Sequence, residues 1–243
     1  MSAALVLVTR PLPEADETAV RIRALGYRCM IEPMLEIAPL VGAPLCLQGI
    51  QVLLVTSRNG ARALAGRSAD RTMRVFAVGE ATANQLRDLG FTNVESAAGS
   101  GRELVERVRQ SCDPAGGALL HVRGDRVAVD PVPMLQAAGF EARSVILYEA
   151  RTPSAFTENL ERTMRQRALR YALFFSPRTA RTFVTLAHGA SLDACCSAIE
   201  ACCLSAAVAA GLEKVRWRRV RVSVRPEQEA LLDMLPPLPT IDG

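Results

Sequence analysis

The run Leu5-Val6-Leu7-Val8-Thr9-Arg10-Pro11 returns later in the chain as Leu119-Leu120-His121-Val122-Arg123-Gly124-Asp125. In both copies a short apolar run stops at an arginine, and a stretch of helical periodicity follows that closes at a glycine. Arg10 pairs with Arg123 and Gly26 with Gly139, each at a separation of 113 residues. Three further blocks repeat in the same order: 53–64 (LLVTSRNGARAL) against 173–183 (LFFSPRTARTF), 75–84 (VFAVGEATAN) against 201–210 (ACCLSAAVAA), and 91–108 against 217–235. Units of strand plus helix resemble one another by chance. Four blocks in one order favour a duplicated half-unit, the first copy ending near residue 113 and the second starting near 116.

The class of fold follows from the runs themselves. Residues 4–8, 51–55, 75–78, 118–122, 171–175 and 198–204 are rich in valine, leucine and alanine and lack polar alternation. Strands covered by helices on both faces read this way. Helical patterns follow at 14–25, 58–65, 80–89, 101–110, 177–186, 205–212 and 226–235; Asp130 and Pro131 open another that closes at Gly139. Strands alternating with helices give an α/β fold with parallel sheets.

Composition narrows the functions. Hydrophobic residues make up 49% and charged residues 22% of 243, which is globular. The net charge of +4 comes from arginines spread along the chain, and aromatics are only 5%. A nucleic-acid surface clusters basic residues and interleaves aromatics, so no nucleic-acid partner is expected. The first apolar run is too short for a secretory signal, and no stretch is long enough to span a membrane, so a cytoplasmic protein is expected. Seven cysteines include the pairs Cys195-Cys196 and Cys202-Cys203, with no CxxC spacing and only two histidines, His121 and His188. They read as free buried thiols rather than a metal or redox site.

Small polar residues stand where strands run into helices: Thr9-Arg10, Thr56-Ser57, Gly79 to Thr82, Ser176-Pro177 and Ser205. Open α/β sheets bind ligands at the carboxyl ends of their strands, where free helix N–H groups favour anions. With Arg10, Arg58, Arg123 and Arg178 nearby, the set suits a ligand bearing several carboxylates or phosphates. N-capping is the plainer use of each serine or threonine. No GxGxxG or GxxxxGK[ST] occurs, so nucleotide cofactors lack their signatures. No His-centred acid–base pair, GxSxG elbow or metal set stands out. Tyr148 in the run 145–150 (VILYEA) is the most interesting single side chain: a hydrogen-bond donor on a rigid strand, or equally a strand aromatic packed at a junction.

The motifs VLVTRP, VTSRNGARAL, VGEATANQLRDLG, AGSGRELVERV, LLHVRGD, VILYEA and FFSPRTARTF, in this order over nearly the whole chain, resemble the uroporphyrinogen-III synthase family. The resemblance implies two Rossmann-like, flavodoxin-like domains joined by a pair of antiparallel linker strands, with a cleft between them. Residues 1–35 plus 152–243 would form one domain and 40–145 the other, with 36–39 and 146–151 as linkers. It implies a cofactor-independent, metal-free lyase of haem biosynthesis that closes the linear tetrapyrrole hydroxymethylbilane, inverting ring D through a spiro intermediate with loss of water. A monomer is implied, with transient handover of substrate from the bilane-producing deaminase. Tyr148 matches the donor to the leaving hydroxyl. Ser57 and Ser176 match cleft serines, Gly79 and Thr82 the VGxxTA turn, and Ser100 and Gly101 the small-residue turn. Thr9, Arg10, Arg58, Arg123, Pro177, Arg178 and Ser205 complete the expected substrate contacts. Val208 stands where the second copy of that turn usually has a threonine. The competing reading is a non-enzymatic two-domain sensor for a polyanion; a nucleotide-dependent transferase is a weaker third.

Overall fold

A computed structural model describes residues 3–97, 99–127 and 130–237. The chain divides into two compact units, Met1–Glu36 with Arg151–Gly243, and Ile37–Ala150. The first unit opens with β1 (Leu5–Val8), α1 (Glu14–Ala24) and β2 (Arg28–Ile31). After β3 (Glu36–Pro39) come β4 (Ile50–Val55), α2 (Arg58–Arg67), β5 (Val75–Ala77), α3 (Glu80–Asp88), β6 (Val94–Ser96) and α4 (Gly101–Ser111). Then follow β7 (Ala118–Gly124), α5 (Val132–Ala137) and the long strand β8 (Ala142–Arg151). The chain ends with α6 (Glu158–Arg165), β9 (Leu169–Phe174), α7 (Pro177–Gly189), β10 (Glu200–Cys203), α8 (Ala206–Ala210), β11 (Arg219–Val222) and α9 (Gln228–Leu232).

Each unit holds one sheet. The first runs β11-β10-β9-β1-β2, every neighbouring pair parallel. The second runs β3-β8-β7-β4-β5-β6, parallel from β8 to β6. Numbered within its own unit, the first sheet has the flavodoxin-like order, and the second, with its edge strand β3 set aside, the Rossmann order. The two orders are one arrangement entered at different points. In the second sheet β6-β5-β4 meets β7-β8; in the first, β11-β10-β9 meets β1-β2. A duplicated half-unit whose copies exchange their leading βαβ segments gives this result.

Burial explains the apolar strands. Leu5 and Leu7 pack with Ala172, Phe174 and Trp217 on one face of the first sheet, while Val6 and Val8 pack with Tyr27, Tyr171 and Leu231 on the other. In the second, Leu53 and Val55 meet Leu64 and Leu86, and Val52 and Leu54 meet Leu104 and Leu135. Both faces are core, so no strand position needs to be polar. The repeat-equivalent Gly26 and Gly139 sit just past their helices at φ 85° and 89°, the left-handed stop that glycine adopts without strain.

Candidate functional site

The second sheet reverses its direction of growth between β4 and β7: β5 and β6 are added on one side, β7 and β8 on the other. At such a switch point the loops leaving neighbouring strands part and open a crevice. A pocket of about 440 Å³ lies among these loops, lined by Thr56, Ser57, Val78, Gly99, Ser100, Gly101, Arg126, Val127 and Tyr148. Ser57, Ser100, Gly101 and Tyr148 are therefore brought together.

Ser57 caps α2, its Oγ accepting the Gly60 N–H at 3.0 Å. The same Oγ lies 3.0 Å from Tyr148 Oη. Tyr148 reaches this position because β8 pairs it with Gly124 on β7, after a register irregularity between Arg123 and Gly124. A Cβ on Gly124 would stand 2.6 Å from Tyr148 Cε2 and 2.7 Å from Cζ. Glycine is what lets the ring lie there. Ser100 caps α4 by accepting the Glu103 N–H at 3.2 Å, and Gly101 is that helix's first residue.

Gly79 is the extended N-cap of α3, and Thr82 is buried within its first turn. Arg58 begins α2. Arg123 turns back on the chain, donating to the Gly124 and Asp125 carbonyls at 3.0 and 3.4 Å. These four belong to the same unit but do not line the pocket.

The remaining expected contacts fall in the first unit. Thr9 is fully buried and donates to the Leu173 carbonyl at 2.7 Å. Arg10 stacks 4.5 Å from the Phe175 ring centroid and donates to Gln228 Oε1 at 2.6 Å. Ser176 caps α7, which opens at Pro177 and Arg178, by accepting the Thr179 N–H at 3.1 Å. Thr179 Oγ1 donates to the Ser176 carbonyl and so accepts the Ser176 hydroxyl, at 3.1 Å. Ser57 finds a tyrosine where its copy finds a local threonine. Ser205 is the N-cap of α8 with no side-chain capping bond, and Val208 is a core residue.

One group was missed by the sequence reading, which found no histidine-centred pair. His121 on β7 is fully buried, with Nδ1 3.2 Å from Asp130 Oδ1 and Nε2 3.3 Å from Thr56 Oγ1. Burial holds its pKa below the ordinary histidine range, although Asp130 pulls it up. Nothing in the spacing announces the trio, because it depends on β4 and β7 being neighbours.

The seven cysteines are free, and among the described residues no group of three His, Cys, Asp or Glu could hold a metal ion. Burial pushes Cys196 and Cys203 up to about 12 and Cys29 and Cys202 to about 11, where little thiolate exists at neutral pH. Alkylation of native protein should mark the exposed Cys46 first. Cys196, Cys202 and Cys203 should react only after unfolding, read by peptide mass spectrometry; rapid native labelling of any of these three would refute their burial.

No helix among the described residues is long and apolar enough to cross a membrane. The family model described as "Uroporphyrinogen-III synthase HemD" matches residues 16–233. Among solved structures, a uroporphyrinogen-III synthetase from Helicobacter pylori is similar with a TM-score of 0.61 at 17% identity, covering 95% of this chain and 97% of that one. Uroporphyrinogen III synthase from Thermus thermophilus gives a TM-score of 0.40 at 16% identity, covering 95% and 96%. No curated protein matches the sequence.

Proposed function

The chain belongs to the uroporphyrinogen-III synthase family, and from that premise we propose that the pocket in its second unit holds the reacting end of hydroxymethylbilane. The enzyme is a lyase of haem biosynthesis that closes this bilane with inversion of ring D and release of water. The single observation that carries the site is the 3.0 Å contact between Ser57 Oγ and Tyr148 Oη at the pocket wall.

Either hydroxyl can donate across this contact, and the reaction uses one of the two directions. Ser57 Oγ already accepts the Gly60 N–H, so its own proton is free to go to Tyr148 Oη. The phenol proton of Tyr148 is then available to the terminal hydroxyl of the bilane. Protonation lets that hydroxyl leave as water, and the resulting azafulvene cation is attacked by the substituted carbon of ring D. The spiro intermediate breaks and recloses in the inverted sense. The proton shed when ring D regains aromaticity returns to Tyr148, so the residue is unchanged over the cycle. Holding the two ends of one flexible molecule in reach supplies much of the rate, and a positioned acid supplies much of the rest.

The carboxylates of the substrate find donors at the start of α4 and at Arg126, both on the pocket wall, with Arg126 mostly exposed. Seven free thiols fit a reducing, cytoplasmic setting. Because the bilane closes unaided to the I isomer, direct handover from the deaminase belongs to the same proposal. Purified protein given hydroxymethylbilane should yield the III isomer, read by chromatography of the oxidised porphyrins; formation of the I isomer alone would sink the reading.

A further inference from the structure

The Asp130–His121–Thr56 chain takes no part in the scheme above, yet its hydrogen-bond direction is fixed by chemistry. Asp130 Oδ1 accepts the backbone N–H of Val132 at 3.1 Å, and the same oxygen faces His121 Nδ1 at 3.2 Å. An oxygen accepting one N–H acts as an acceptor toward the ring as well, so Nδ1 carries the proton. Burial keeps the imidazole neutral; Asp130 opposes this, and the charge of Arg123 assists it. Neutral His121 therefore offers a bare Nε2 to Thr56 Oγ1 at 3.3 Å. A threonine hydroxyl has one proton, and here it points at the histidine. Toward the pocket, which Thr56 lines, only lone pairs remain.

We propose that Thr56 is an acceptor-only hydroxyl that binds an N–H donor of the ligand, a pyrrole N–H of the bilane, and that His121 and Asp130 are positioning residues that set its polarity. The identity of the donor rests on the synthase reading. The division of labour is chemically sensible. Helix N-termini, Arg126 and the Ser57–Tyr148 pair all present hydrogen, which answers carboxylates and a leaving hydroxyl. None of them answers a pyrrole N–H, and Thr56 does. Residues 56 and 57 leave the same strand end with opposite hydrogen-bonding sense because each meets a different neighbour: His121 from β7, Tyr148 from β8.

Two measurements test this. In 15N NMR of the resting protein, His121 should show the tautomer protonated at Nδ1 and bare at Nε2; protonation at Nε2 overturns the proposal and leaves the synthase reading standing. In kinetics with hydroxymethylbilane, Thr56→Val should raise KM about tenfold, the effect of one lost hydrogen bond to a buried partner, with a smaller change in kcat. Thr56→Ser should restore most of the loss. His121→Leu should raise KM similarly, and the double variant should be no worse than Thr56→Val, since both remove one interaction. A KM unchanged in Thr56→Val, or additive effects in the pair, overturns the proposal. Should His121→Leu fail to fold, the threonine pair and the tautomer still decide. Wild-type protein that forms only the I isomer overturns the pyrrole assignment together with the synthase reading, whatever the tautomer.

Discussion

Tyr148→Phe protein folds normally and loses roughly 10²- to 10⁴-fold in turnover, the range expected when a positioned proton donor is removed. The substitution deletes one oxygen and leaves the ring, which is what packs against Gly124 and the surrounding core. Ser57 keeps its bond from the Gly60 N–H, so the start of α2 stays capped. Stability should change by no more than about 1 kcal/mol, the typical net value of a single hydrogen bond. Product analysis adds an internal control: with catalysis weakened, spontaneous closure competes, and the I isomer rises at the expense of the III isomer. A variant that turns over near the wild-type rate would remove Tyr148 from the mechanism.

Gly124→Ala tests the same geometry from the opposite strand. The backbone of Gly124 lies outside the left-handed region, so alanine meets no conformational penalty there. The cost comes from the added Cβ, 2.6 Å from Tyr148 Cε2, a separation that real Cβ atoms do not sustain. Tyr148 is only 8% exposed and sits in a packed cluster, so the ring cannot simply step aside into solvent. Overpacking of this kind costs about 1–3 kcal/mol. The ring also has to swing, and Oη leaves Ser57. Activity should therefore fall toward that of Tyr148→Phe, and the double variant should be little slower than Tyr148→Phe alone, since the hydroxyl can be misplaced only once. Wild-type melting temperature and turnover in Gly124→Ala would show that the ring does not depend on this glycine.

The scaffold was legible because its strands are buried on both faces. Runs such as 51–55 and 118–122 have no other comfortable home, and the glycines after their helices mark the stops. The edge strands β2 and β11 were harder: Arg28–Ile31 and Arg219–Val222 are partly exposed and carry arginines, so they lack the apolar signature. Helix α6 escaped for a related reason. Its buried face amounts to Leu160, Thr163 and Met164, too few apolar positions to set up a period.

For the site, the residue types at strand ends could be read singly, but their partnerships could not. Ser57 and Tyr148 are 91 residues apart, and Thr56 and His121 are 65 apart. Both contacts exist because the sheet seats β7 beside β4 and β8 beside β7. The repeat was silent as well. At its offset, Tyr148 corresponds to Leu35, His121 to Val8 and Gly124 to Pro11. Duplication copied the frame, while the proposed site joins Thr56 and Ser57 of the first copy to His121 and Tyr148 of the second.

The interleaving of the sheets also sets an order of events as the chain leaves the ribosome. Residues 37–150 are contiguous, so the second unit has every strand it needs while synthesis is still under way. The first unit does not. β1 is an interior strand, and its neighbour β9 is made more than a hundred residues later, Leu5 pairing with Leu169. During that interval Leu5–Val8 can pair with β2 but has one bare edge, and such edges invite pairing with other chains. The long gap also makes closure of this sheet the slow, entropically expensive step. The nascent chain thus completes the unit that carries the proposed site first, and β1 keeps an open, adhesive edge until β9 emerges.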